Sequence, residues 1–377
     1  MKKAAGLPGR LFHVKRLEYY YCNFDQREKS GGLRASLTGF LASLEMTNYL
    51  QTMPLTMLCF IRQYLLVLVA AALLAGAGPL LAADAELAPL AAQSLLLDGL
   101  AAGSQLIAVG ERGHILVSTD AGRSWQQSPT PTRATLTSVF FADAQHGWAA
   151  GHDAVILRTG DGGATWQKVH EDPASGPILD LWFRDARTGY AVGAYGLCLA
   201  TADGGTTWEP REITDDTGMV VDLHLNQLRP LTDGRLVVAA EAGQLFASAD
   251  SRKWLPLPLP YEGSMFGVLP LAGDRLLAYG LRGHLFRSAD AGRSWQPAVT
   301  GTEAVLNDAI VLRDGRVVVV GLAGTVLVSL DEGAHFTASS QPDRSGLTRV
   351  IETADGALVL LGTHGARRLD LPAGGRP

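Results

Sequence analysis

A sixteen-residue pattern returns seven times along this chain, and that repetition limits the fold more than any other feature. The first copy reads Gly110-Glu-Arg-Gly-His-Ile-Leu-Val-Ser-Thr-Asp120-Ala-Gly-Arg-Ser-Trp125. Later copies begin at Gly151, Gly193, Ala240, Gly280, Gly321 and Gly362, at spacings of 41, 42, 47, 40, 41 and 41 residues. Most copies open with G-x-x-G, continue as an alternating apolar run and close with S/T-x-D-x-G-x-x-W; the second has Ala154 and the fourth Ala240 in place of a glycine. Asp120, Asp161, Asp203, Asp250, Asp290 and Asp331 share one repeat position, and Trp125, Trp166, Trp208, Trp254, Trp295 and Phe336 share another. The fourth copy has lost one turn residue, and the seventh ends without the Asp or the Trp.

Short strand-like runs fill the space between copies. In the second unit they fall at 135–141, 147–151, 155–159 and 165–169. Four short strands per unit of about 41 residues, with no long run of period 3.6, predict propeller blades. The last unit supplies three strands, at 347–353, 357–362 and 366–371, and an N-terminal stretch at 87–93 is expected to add the fourth. The predicted fold is all-β: a seven-bladed β-propeller of four-stranded antiparallel blades over 84–377, its ring closed by an N-terminal strand. The 43 glycines fit so many tight turns.

The first 83 residues are of another kind. Arg62 precedes an unbroken apolar run at 64–75, and Gly76, Gly78 and Pro79 lead to Ala83-Asp84-Ala85. That order predicts a secretory signal peptide at 57–83, hence export to the periplasm or a thylakoid-lumen equivalent. Residues 1–56 show no period, and the reading is a mis-called or disordered extension with the true start at Met57 or Met53. Cys22 and Cys59 precede the cleavage site, so the mature domain keeps Cys198 alone, read as a small buried hydrophobe.

Charge excludes some functions. Beyond residue 83 the chain holds 23 basic and 33 acidic residues, which argues against nucleic acid as a partner. No metal-ligand spacing such as C-x-x-C or H-E-x-x-H is present, nor a G-x-S-x-G elbow or phosphate loop, and no cofactor is expected. His114 and His284 share the position after G-x-x-G and are read as partly exposed strand residues. The Asp-box residues are read as structural, because six copies of one catalytic acid serve no single reaction. A partner is expected on the opposite rim, where second-to-third-strand turns vary from copy to copy: Glu111, Arg112, His152, Asp153, Tyr195, Glu241, Arg282 and His364.

The longer pattern resembles one family. Leu136-Thr-Ser-Val-Phe-Phe-Ala-Asp143, His146-Gly-Trp-Ala-Ala-Gly151 and Thr159-Gly-Asp-Gly-Gly-Ala-Thr-Trp166 are similar to the repeat of the photosystem II stability/assembly factors. Residues 178–208 repeat the match. The resemblance implies an exported, non-enzymatic propeller that holds a membrane-protein client or envelope complex; separately, a monomeric propeller is expected. It also implies an arginine-rich contact surface, for which Arg112, Arg133, Arg158 and Arg282 are candidates by position. The alternatives are a glycan-binding or sialidase-like propeller, although Arg-Ile-Pro is absent, and a purely structural envelope subunit.

Overall fold

The computed structural model describes residues 84–215 and 217–370. The expected signal peptide, the extension before it and Asp216 lie outside the described residues.

Seven antiparallel sheets follow one another along the chain: blades 1 to 7, at 96–128, 136–170, 178–210, 225–257, 265–297, 306–340 and 347–369. Six have four strands and the seventh has three. Blade 2 is representative, with strands Leu136–Phe141, Gly147–Gly151, Ile156–Thr159 and Gln167–His170. Its second strand is buried along its whole length, so it reads as a continuous small and apolar run rather than an alternating one.

Each apolar cluster lies between two consecutive blades. Ile107 and Val109 of blade 1 pack with Val139, Leu157 and Trp166 of blade 2. Leu96, Leu106 and Trp125 of blade 1 pack with Ile351, Val359 and Leu361 of blade 7. That second cluster closes the ring. The repeat therefore cannot bury its apolar faces alone, which is why seven copies fold as one unit.

One expectation needs correction. The stretch at 87–93 is not a strand; it ends in a 3₁₀ turn, Ala91–Gln93. Ala91 and Ala92 still pack against Ala366 of blade 7. The alanines of this stretch have weak strand preference. Closure instead comes from the innermost strands, where Thr348 Oγ1 donates to Leu96 O at 2.7 Å.

The innermost strands also carry a belt of polar side chains. Each begins with an apolar residue and then bulges: Leu136 faces Gly151, but Ser138 faces Ala150. In blades 1, 2, 3, 4 and 6 the third residue of this strand points to the next blade and accepts the backbone N–H of that blade's fourth residue, whereas blade 5 has Gly267 there. Val139 N donates to Asp98 Oδ2 at 2.8 Å, Leu228 N to Asp180 Oδ2 at 2.8 Å, Val268 N to Gln227 Oε1 at 2.9 Å and Val350 N to Asp308 Oδ2 at 3.0 Å. Blade 7 places Arg349 at this position, 3.0 Å from Asp98 Oδ1 and 3.1 Å from Asp308 Oδ1. Arg229 pairs likewise with Asp180 at 2.7 Å. Buried backbone donors must find partners, and here the neighbouring blade supplies them.

Candidate partner-binding face

The turns between second and third strands share one geometry. In blade 1, His114 N donates to Glu111 O at 3.0 Å and Gly110 N to His114 O at 3.1 Å. The residue between, Arg112, is held at φ 57°. Asp153, Tyr195, Ala242, Arg282 and Ala323 repeat that left-handed conformation in blades 2 to 6. It is uncommon outside glycine and costs on the order of 1 kcal/mol. Because it recurs whatever the residue, the strain belongs to the turn, and its effect is to present one side chain per blade to solvent. The first glycine has a different reason: a Cβ on Gly151 would lie 2.0 Å from Thr135 O. In blade 7 the turn shortens, and Gly362 pairs directly with Gly365 across Thr363 and His364.

These turns stand on one face with the inter-blade connections. Arg112, His152, Asp153, Tyr195, Arg282 and His364 are exposed there. Glu111 and Glu241 have a local role as well. Leu95 N donates to Glu111 Oε1 at 3.3 Å, and His224 N donates to Glu241 Oε2 at 3.0 Å, so each caps the residue that leads into an inner strand. The four arginines do not gather. Arg112 is in blade 1 and Arg282 in blade 5. Arg133 pairs with Glu86 at 2.6 Å. Arg158 lies within the third strand of blade 2, against the Asp-box turn of blade 3 at Gly204.

The histidine pair splits. His284 is exposed, but His114 is only 3% exposed, with Nδ1 3.0 Å from Ser94 Oγ. The segment before blade 1 covers it, and burial lowers its pKa. Cys198 is buried, and burial pushes its thiol up to about 12.

The opposite face holds the Asp-box hairpins. Thr159 Oγ1 donates to Asp161 Oδ1 at 2.7 Å and accepts Gly163 N at 3.0 Å, while Thr165 N and Oγ1 donate to the two Asp161 oxygens. Asp120, Asp203, Asp290 and Asp331 repeat the arrangement. In blade 4 the missing residue leaves Asp250 bonded to Arg252 N and Lys253 N, and Ser251 takes the left-handed position at φ 59°. Clefts of about 510 and 300 Å³ flank this shortened turn, one lined by Leu255, Leu257, Lys253 and Arg293, the other by Tyr190, Asp203 and Arg252. Trp166 and Trp295 donate to Gly163 O and Gly292 O, both at 3.1 Å. Trp125, Trp208, Trp254 and Phe336 occupy the equivalent places in other inter-blade clusters.

These hydrogen bonds favour the ionised carboxylate. The Thr165 hydroxyl foremost holds Asp161 at about 2, the Thr207 N–H does so for Asp203, and the Ser294 hydroxyl for Asp290. A carboxylate lowered in the folded state stabilises it above the ordinary value near 4, and that contribution is lost as pH falls through the folded value. The melting temperature should therefore drop between about pH 4 and pH 2. A variant with Asp161→Asn, Asp203→Asn and Asp290→Asn should give a flatter profile over that range. An unchanged profile would remove the Asp-boxes as its source.

Fold and hairpins together define a seven-bladed Asp-box propeller whose varied turns face one way. A family model, "Photosynthesis system II assembly factor YCF48", matches residues 117–177 and 170–349. The chain belongs to that family. It is 37% identical over 78 residues to "Photosystem II stability/assembly factor HCF136, chloroplastic" of Cyanidioschyzon merolae, covering 19% of this chain and 18% of that protein. It is 42% identical over 43 residues to "Photosystem II assembly protein Ycf48" of Thermosynechococcus vestitus, covering 11% and 12%. The chain thus aligns with less than a fifth of the length of these curated relatives. A solved structure described as "YCF48 bound to D1 peptide" superposes with a TM-score of 0.63 at 18% identity, over 76% of this chain and 96% of that one. At that identity the likeness is one of fold.

Proposed function

We propose that the protein is an exported, non-enzymatic scaffold of photosystem II assembly type, which holds a membrane-protein client on its connecting face. The observation that carries the reading is family membership across most of the propeller. Two further facts support it. Curated relatives are named for photosystem II assembly, and a structural neighbour is described with a D1 peptide bound. The apolar run at 64–75 supports export. A sialidase-like reading is not favoured, because it needs unpaired arginines converging on a substrate carboxylate. The central ones, Arg229 and Arg349, are committed to aspartates.

The test is affinity purification of the tagged full chain from chemically crosslinked membranes, read by mass spectrometry. The expected result is a photosystem II subunit or its precursor among the captured proteins, and the same protein absent from the untagged control. Recovery of soluble proteins alone, with no membrane protein above control, would overturn the reading.

A further inference from the structure

We propose that the connecting face at blades 3 and 4 docks a cationic, aliphatic segment of a partner protein. The inference rests on the scaffold reading and specifies where and how the client is held.

The interval between the third and fourth repeats is the longest, at 47 residues. Its surplus folds into a small hairpin on the connecting face. Thr214 bridges to Val220, Val221 N donates to Ile213 O at 2.8 Å, and Asp215 N donates to Met219 O at 2.9 Å. The base is anchored: Ile213 and Val221 are buried in the cluster between blades 3 and 4, and Gly196 N donates to Leu223 O at 2.8 Å. The tip is not covered. Met219 is 69% exposed and Val220 54%. Beside the hairpin base, on the blade 3 turn, Tyr195 is 71% exposed, its ring 4.9 Å from His224. His224 is fixed in turn by Glu241, 2.8 Å away. Three large apolar side chains are thus held out to solvent on an ordered base. Single exposed apolar residues need no explanation, but a grouped set marks an interaction surface.

The charge around the patch selects the partner. Glu212 and Asp222, in the same connection, are exposed and make no hydrogen bond among the described residues. The basic residue of this connection, Arg211, is engaged by Glu209 at 2.8 Å. An apolar centre in a negative surround complements a segment whose apolar side chains are flanked by lysine or arginine. The same field disfavours an anionic lipid surface.

The test uses the full chain and a fluorescent twelve-residue peptide in which paired lysines flank an aliphatic core. Binding is followed by anisotropy at low and physiological salt. The expected result is that Met219→Ser with Val220→Ser weakens binding at least tenfold, and so does Glu212→Lys with Asp222→Lys. Leu322→Ser, an exposed apolar site on blade 6, should leave binding unchanged, and all variants should melt as the parent does. A peptide with glutamates in place of the lysines should bind at least tenfold more weakly. Equal binding of the two peptides, or parental binding by both double variants, would overturn the proposal. Capture of phosphatidylglycerol vesicles without the peptide would do so too. If the double variants still capture the membrane client after crosslinking, the docking face is wrong while the scaffold reading stands.

Discussion

Arg349→Leu should lower the free energy of unfolding by about 3–5 kcal/mol, the range for removing one partner of a buried ion pair. Arg349 is the one cation at the belt position, and its side chain is about 20% exposed. It joins three blades: its guanidinium meets Asp98 of blade 1 and Asp308 of blade 6 and donates to Gly99 O at 3.0 Å. Leucine fills similar space but leaves two carboxylates facing each other without a counter-charge. A pH signature separates this loss from simple mispacking. Burial raises the Asp308 pKa even with Arg349 present, and Arg349 opposes the rise. Without the cation the rise grows. A folded-state value above the unfolded one gives stability that is present at low pH and lost as pH increases. The variant should therefore recover part of its deficit as pH falls from 7 towards 5, because its Asp308 is raised further than the parent's and gains more over the same range. Urea unfolding at the two pH values measures both effects. A pH-independent deficit would mean that packing, not charge, sets the cost.

Trp148→Ala is the second large expected loss, about 3–5 kcal/mol from transfer and cavity together. The side chain is fully buried and stacks on Phe183 with ring centroids 3.6 Å apart and planes 11° from parallel. Its Nε1 donates to Gly204 O at 3.0 Å. One residue of blade 2 thus reaches both an inner strand and the Asp-box turn of blade 3. Trp148→Phe should recover roughly half of the loss, because it restores apolar area but leaves the Gly204 carbonyl without its donor. Denaturant midpoints for the three proteins decide the matter, and a Trp148→Ala loss under about 1 kcal/mol would show that the site collapses around the gap.

The fold was legible in the sequence because its cause is periodic. The G-x-x-G turns and Asp-boxes recur at nearly constant spacing, and each answers a local demand of the backbone. Strand limits in blade 2 came within two residues of those observed. The polar belt was missed although it is periodic too. Asp98, Ser138, Asp180, Gln227, Asp308 and Arg349 share the third position of their inner strands, Gly267 being the exception in blade 5, but they differ in residue type, and the shared property is hydrogen bonding to the next blade. A search for any polar residue at the third position of each inner strand would have found them. The closing segment at 87–93 was misread because its apolar run was taken for a strand, whereas alanine has weak strand preference and the segment ends in a 3₁₀ turn at Ala91–Gln93. His114 was misread for a further reason. Repeat position predicts local conformation, but its burial comes from a segment found only beside blade 1. The partner face was legible only as a set of variable turns. Which of them combine with the long connection at 211–224 depends on the ring, and no local pattern records it.

The three-stranded last blade has a consequence for behaviour in concentrated solution. Among the described residues, strand Gly365–Leu369 pairs on one side only. Such an edge invites pairing with another molecule. Arg367 and Arg368 sit on it side by side, the first held by Asp343, the second by Asp355 and by Ala121 O. The ion pairs fix two charges along the open ladder, so a second copy that added a strand there would have to bury them. Among the described residues, the open side of blade 7 is thus guarded against polymerising edge to edge.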